Sequence, residues 1–254
     1  MRVFFLVLAR DRSEIARKCE ELDTLGIPYV VVCGEKVNHP NLVYREPRGK
    51  YDAINFGFKF IPKDTEIVGL NDVDTEIHNL KAAYYLLEQT ASSLVFAKVT
   101  VIQGPQRLFY RLLDTLRRKV PIAASGELML IRYDVLQTML PLKQCKAEDS
   151  YILFKVLELG GKVEFCEYCY VTTERTKDAR QEEHYKRRTV GGIYQALSMA
   201  KAPFGIKLFY GLLPFLSPLL LVLGVRGYYW ARGIIEGYGD YLKGDRTGTW
   251  QSTY

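Results

Sequence analysis

Three carboxylates fall within five positions of the stretch Gly69–Asn79, at Asp72, Asp74 and Glu76. In an extended backbone, residues two apart project to the same side, roughly 7 Å from each other along the chain. Two acids so placed can hold one hard divalent cation, directly or through water, and leave positions for phosphate oxygens. The same residue types also end strands for local reasons, since Asp and Asn bond back to their own turn. Location helps to separate the two readings. The apolar run Ile67–Leu70 leads straight into the acids, and in open α/β sheets ligands bind beyond the carboxyl ends of strands.

Other segments carry complementary chemistry. Arg45, Arg48 and Lys50 lie in REPRGKYDAINFG, three positive charges that suit a diphosphate or form a basic lead into a helix. Glu148 and Asp149 precede Ile152, Val156 and Leu159, whose spacing predicts a helix with the two acids in its first turn. Its dipole favours carboxylates there even without chemistry. From Arg175 to Lys207 eight Lys or Arg stand against three Asp or Glu. Such a block can meet anionic lipid, a phosphorylated substrate or nucleic acid, or form a solvated helix face.

The elements that must position these residues alternate. Strands are expected over Val3–Ala9, Tyr29–Cys33, Leu42–Tyr44, Ile67–Leu70, Leu94–Val101 and Leu128–Ile131. Helices are expected over Ser13–Leu25, stopped by Gly26 and Pro28, and over Tyr51–Phe60, stopped by Pro62. Another begins behind Asn79, a plausible cap. This βαβα order predicts an α/β domain with a mostly parallel sheet and helices on both faces.

The chain has 254 residues, 48% apolar and 25% charged, the composition of a folded protein rather than a disordered one. Five cysteines without regular spacing fit a reducing compartment better than a disulfide framework. Cys166 and Cys169 form a lone Cys-x-x-Cys that lacks two further zinc ligands, and a buried pair is the simpler expectation. The opening MRVFFLVLARDR reads as a first buried strand; its apolar run is too short for a signal-peptide core. Because ARDRSE follows that strand without a glycine, neither a dinucleotide-binding fingerprint nor a nucleotidyltransferase phosphate loop is present there.

Leu208–Val225 runs 18 residues without a charge, at the lower edge of what spans a bilayer. Pro214 and Pro218 interrupt it, which is awkward for a simple spanning helix. Tyr228, Tyr229 and Trp230 lie between Arg226 and Arg232, a pattern common at the membrane–water interface. An in-plane or re-entrant helix pair fits best; a true span and a buried helix or oligomer face are the alternatives. The basic block is short and leads into apolar sequence, so no nucleic-acid partner is expected.

Taken in order, these segments resemble family-2-type glycosyltransferases of the GT-A fold. The family pattern Gly-Lys-x-x-Ala-x-Asn-x-Gly is matched by Gly49, Lys50, Ala53, Asn55 and Gly57. Asp72 and Asp74 match its Asp-x-Asp, Ser125–Arg132 its Gly-containing strand, and Glu148 with Asp149 its Glu-Asp pair. The likeness covers roughly residues 3–192. It implies a Rossmann-type three-layer α/β/α domain with a mixed, mostly parallel sheet over 1–192, and a C-terminal membrane-interacting helical region over 193–254.

The resemblance further implies inverting transfer from a UDP- or GDP-sugar to a lipid-linked or glycan acceptor at the cytoplasmic face of the cell membrane. Mn2+ or Mg2+ on Asp72 and Asp74 would hold the donor diphosphate, with Asp149 as base beside Glu148. Donor contacts would come from Ala9, Arg10, Glu35, Lys50, Asn55, Asp72 and Gly126, and acceptor or phosphate contacts from Arg175, Lys177, Arg187 and Arg188. Two departures stand out. Glu35 replaces the usual Asp after the second strand. His184–Arg188 keeps an Arg but lacks the Trp of the Gln-x-x-Arg-Trp motif of processive synthases. A polyprenyl-phosphate sugar synthase, similar to dolichol-phosphate-mannose synthases, and an inactive membrane-docked relative are the alternatives.

Overall fold

The computed structural model describes residues 1–104, 106–174 and 178–244. Eight strands form one sheet in the order β3-β2-β1-β4-β7-β6-β8-β5. They are β1 (Val3–Ala9), β2 (Tyr29–Cys33), β3 (Leu42–Tyr44), β4 (Ile67–Asp72), β5 (Glu76–His78), β6 (Leu94–Val101), β7 (Leu128–Arg132) and β8 (Val163–Thr173). Among the described residues antiparallel pairing is confined to β4–β7, β6–β7 and β5–β8; β1–β2, β1–β4, β2–β3 and β6–β8 are parallel. The mixed, mostly parallel sheet expected from the sequence is therefore present.

The period-2 alternation of the central strands divides the core into two layers. Leu6, Leu8, Val30, Val32, Val68 and Leu70 face one side. There they meet α2 (Lys50–Gly57), α5 (Tyr133–Met139), α6 (Glu148–Glu158) and part of α7 (Ala179–Met199). Phe5, Val7, Ala9, Val31 and Cys33 face the other side, against α1 (Ile15–Thr24) and α3 (Leu80–Gln89). Full burial of each large apolar side chain contributes about 2–3 kcal/mol, so this alternation dominates the choice of register. Gly57 lets α2 lie directly on β1, since a Cβ there would stand 2.3 Å from Leu6.

Several sequence expectations change. The second helix is α-helical only to Gly57 and finishes as a 3-10 turn over Phe58–Phe60. Asn79 occupies the N-cap position of α3 in a left-handed conformation (φ 53°), but its side chain does not cap; its amide donates to the Tyr168 carbonyl at 3.1 Å. All five cysteines are buried and free. β8 carries three extra residues, 167–169, between the partners of Ala97 and Lys98; Cys166 precedes this bulge and Cys169 ends it, both buried, so the expected buried pair is found. A twelve-residue helix, α4 (Gln106–Arg117), lies between β6 and β7.

The apolar tail forms α8 (Phe204–Leu216), with Pro214 inside it, and a 3-10 segment Ser217–Leu223. Gly224, at φ 68°, then turns the chain into α9 (Val225–Leu242). Among the described residues, Phe204–Leu223 is the one helical segment long and apolar enough to cross a membrane. The aromatic triplet after it divides: Tyr228 is exposed, but Trp230 is buried and its indole N–H donates to Glu182 at 2.9 Å. Trp230 is thus a packing residue between α9 and α7, not an interfacial aromatic.

Candidate active site

The site grows from the ends of β1, β2 and β4. Ala9 closes β1 and pairs with Cys33 of β2; Leu8 pairs with Asp72, the last residue of β4. Ala9, Arg10, Glu35 and Asp72 therefore lie along one edge of the sheet. Glu35 is half exposed and faces Arg12 at 3.9 Å. The backbone of Arg10 passes so close to Gly34 that a Cβ there would meet its carbonyl oxygen at 2.3 Å.

β4 stops at Asp72, and the chain turns through Val73 and Asp74. The two acids are thus not set by the parity of an extended strand. Side chains hold the turn instead. The buried Asn71 amide donates to the Glu127 carbonyl at 2.6 Å and to Thr75 Oγ1 at 3.0 Å. The Thr75 hydroxyl donates to the Asp72 carbonyl at 2.8 Å. From α1, Arg17 donates to the carbonyls of Val73 and Thr75, each at 3.3 Å. Asp74 stays partly buried, close enough to act on the ionisation of both Asp72 and Lys18. Glu76 leaves the group: it opens β5, exposed, opposite Thr172.

Lys50 is the first residue of α2. Its ammonium donates to Asp72 Oδ2 at 2.5 Å and lies 3.8 Å from Glu148 Oε1, with these three side chains only 12–21% exposed. Glu148 and Asp149 form the first turn of α6. Gly126 makes room for Asp149, since a Cβ there would stand 3.2 Å from the Asp149 Cβ. Glu127 is buried beside them and accepts from the Tyr110 hydroxyl at 3.3 Å.

Burial and mutual repulsion set the ionisation of this cluster. Burial pushes Asp72 up to about 6; Lys50 opposes the shift, while Asp74 and Glu127 add to it. Burial likewise raises Glu148 against the pull of Lys50. Asp149 is raised by burial and Glu127, and held back by the Ser150 backbone N–H, Lys50 and Arg117. Burial works against the Lys50 ammonium, but Asp72, Glu148 and Glu127 outweigh it and hold its pKa above the usual lysine range. Several carboxylates thus share little positive charge, an arrangement suited to a divalent cation.

Asp72 Oδ1 is buried without a hydrogen-bond partner, so one oxygen of the expected ligand is open to coordination. Among the described residues no group of three or more His, Cys, Asp or Glu converges as a cage. A cation here would take one or two carboxylates and complete its shell with phosphate and water, the usual Mg2+ arrangement in phosphate sites.

Two expected site residues serve other ends. Asn55 accepts from the Leu142 N–H at 2.7 Å and donates to its carbonyl at 3.0 Å, so its amide braces a loop and is not directed at a donor. Arg187 is committed to α9, with Nε and Nη2 on Asp240 at 2.5 and 2.8 Å and Nη1 on Glu236 at 3.1 Å. Arg188 lies beside the Tyr185 ring. The Tyr185 hydroxyl is 3.4 Å from that of Tyr110, which reaches Glu127. Arg175 and Lys177 lie outside the described residues.

Sequence reasoning passed over Asn71, Glu127, Tyr110 and Arg117. Buried Arg117 donates to the carbonyls of Ala123 and Ala124 at 2.9 and 3.0 Å, bracing the segment that leads to Gly126. The one available signal was Glu127 itself, an acid directly before the apolar strand Leu128–Ile131.

No protein-family model matches the chain, and no curated protein matches it by sequence. Solved structures do. Mannosyltransferase PcManGT from Pyrobaculum calidifontis, in complex with GDP-Man and Mn2+, superposes with a TM-score of 0.73 at 18% identity. That match covers 96% of this chain and 88% of that one. GalNAc-T7 with UDP, GalNAc and Mn2+ gives 0.57 at 12% identity, over 97% of this chain and 58% of that one. M. tuberculosis glucosyl-3-phosphoglycerate synthase gives 0.51 at 14% identity, over 80% and 82%. At these identities the likeness speaks for architecture, and the chain has a GT-A-like α/β fold.

Proposed function

We propose that this protein is a metal-dependent inverting glycosyltransferase that moves a sugar from a UDP- or GDP-sugar to a lipid-linked or membrane-proximal acceptor. One observation carries the reading. Lys50, Asp72, Glu127, Glu148 and Asp149, from four separate segments, converge in one cluster beyond the end of β4. The fold is similar to structures whose ligands are nucleotide sugars or their parts with Mn2+. Asp72 and Asp74 would hold Mn2+ or Mg2+, which when bound supplies charge to offset that growing on the leaving diphosphate.

The chain's own residues then divide the work. Lys50 keeps Asp72 in place and favours its ionised form. Ala9, Arg10 and Glu35 border the strand ends where the nucleoside would rest. Asp149 takes the proton of an acceptor hydroxyl; its raised pKa makes it a stronger base than an exposed aspartate. Buried free cysteines suit the cytoplasmic face of the membrane. The exposed apolar surface of the tail, with Phe215 at 75% and Val222 at 87%, suits contact with lipid.

That surface also favours a second reading, a polyprenyl-phosphate sugar synthase. A phosphate acceptor is already ionised, so Asp149 would position it rather than deprotonate it, with Arg188 near the phosphate. The test is a panel of UDP- and GDP-sugars with Mn2+ and membrane extract, comparing wild type with Asp149→Asn and Asp74→Ala. Both variants are expected to lose transfer by about a hundredfold or more. Undiminished transfer by both would sink the site assignment, and failure of wild type to bind any donor nucleotide with Mn2+ would favour an inactive relative.

A further inference from the structure

Helix α4 is built inside out. Its inward positions are polar or amphipathic: Gln106, Tyr110, Asp114 and Arg117 are buried. Its outward positions carry Leu108, Leu112 and Leu116, followed by Val120 one turn on, all 37–48% exposed. Four-residue spacing stacks these side chains in one stripe along the helix. Arg107, Arg111, Arg118 and Lys119 are exposed around it. Asp114, the one acid between residues 106 and 120, turns inward to Arg117 at 3.3 Å. Outside this segment, Glu167 pairs with Arg118.

A face of leucines ringed by cations, of which Arg118 alone has an acidic partner among the described residues, is poorly suited to water and to another apolar surface, which would leave the other cations without counter-charge. An anionic bilayer satisfies both parts, with acyl chains for the leucines and phosphates for the Arg and Lys. The helix also neighbours the apolar tail. Phe109 packs 5.3 Å from the Trp230 ring of α9, and Tyr210 of α8 donates to the Ile122 carbonyl at 2.9 Å. Its inner side reaches the site through the Tyr110–Glu127 and Arg117–Ala124 contacts.

We propose that α4 is a membrane-docking helix in its own right, which lays Leu108, Leu112, Leu116 and Val120 into an anionic lipid surface beside the carboxylate cluster. It adds a second attachment to the one read from the tail and rests on the membrane part of the proposed function, not on sugar transfer.

The full chain is sedimented with vesicles of phosphatidylcholine alone and of phosphatidylcholine with phosphatidylglycerol. Wild type is compared with Leu112→Ser/Leu116→Ser, Arg107→Glu/Arg111→Glu and a tail variant, Phe215→Ser/Val222→Ser. Wild type is expected to prefer the anionic vesicles, and each α4 variant to weaken that binding about tenfold with its thermal unfolding unchanged. Wild-type binding by both α4 variants, with loss only in the tail variant, overturns the proposal and leaves the tail reading standing. Loss only in the α4 variants keeps the proposal and removes the tail reading. An assembly of wild type that dissociates in the leucine variant, without a change in vesicle binding, would mark the stripe as an interface between copies and overturn it as well.

Discussion

Lys50 shows how much one side chain can carry in a cluster of acids. It holds Asp72 directly and sits within reach of Glu148, and its removal would leave buried carboxylates to repel one another until some take up protons. Lys50→Met is therefore expected to lower kcat/KM by about a hundredfold or more, with a raised requirement for Mn2+ in the titration that measures it. A second expectation concerns pH. Asp149 must be ionised to act as base, and burial raises its pKa. Activity should accordingly fall, as pH drops, at higher pH than an ordinary carboxylate near 4 would dictate. If the acceptor is a hydroxyl, the residual rate of Asp149→Asn should lack that acid limb; a limb that survives would assign it to another group. Asp72, Asp74, Glu148 and Asp149 were legible because acids beside an apolar run or at a helix start stand out in sequence. Glu127 and Asn71 were not, because their roles depend on the antiparallel register Asn71–Leu128, which sets Asn71 against the Glu127 carbonyl 56 residues away.

Elements rather than residues decide where Lys50 points. The loop before α2 is tied to the helix by Arg45, whose Nε and Nη2 donate to Asp52 at 2.7 and 2.9 Å, and the helix itself is tied to the segment after α5 by Asn55 on Leu142. Arg45 holds the Asp52 carboxyl below its usual range. The stabilisation is thus present above the unfolded-state value near 4 and is lost as pH falls through the lower folded-state value. Arg45→Met should cost roughly 1–2 kcal/mol at neutral pH. The gap from wild type should narrow in urea melts as pH falls below the ordinary carboxylate value; a gap independent of pH would point to lost packing on Phe56 instead. Strand positions such as Val3–Ala9, Tyr29–Cys33 and Leu94–Val101 could be read from apolar runs because burial on both faces of a parallel sheet leaves little room for polar residues. The opposite holds for α4. Its apolar stripe has helical spacing but faces outward, so a rule that equates apolar with core would turn it around.

The whole molecule is less divisible than its composition suggests. A boundary at residue 192 follows the change to apolar sequence, yet it cuts through α7. Beyond it, Ile193, Tyr194, Ala196, Ile206, Tyr210 and Ile234 belong to the same core cluster as Leu6 and Leu70. Three glycines seat α9 on α7: a Cβ at Gly233 or Gly237 would stand 2.5 Å from a backbone oxygen of α7, and one at Gly191 3.2 Å from the Gly237 oxygen. That four-residue glycine spacing was present in the sequence, but hydrophobicity drew attention to the tail as a membrane element and away from its packing. Five of those six core side chains are large, each costing about 2–5 kcal/mol when removed by truncation, and their sum of roughly 10–25 kcal/mol matches or exceeds the 5–15 kcal/mol typical of a whole domain. A chain ending at residue 192 should therefore lack a cooperative unfolding transition in calorimetry, whereas the full chain should show one. A soluble 1–192 fragment that melts cooperatively would restore the boundary and make α8 and α9 an appendage to a self-sufficient domain.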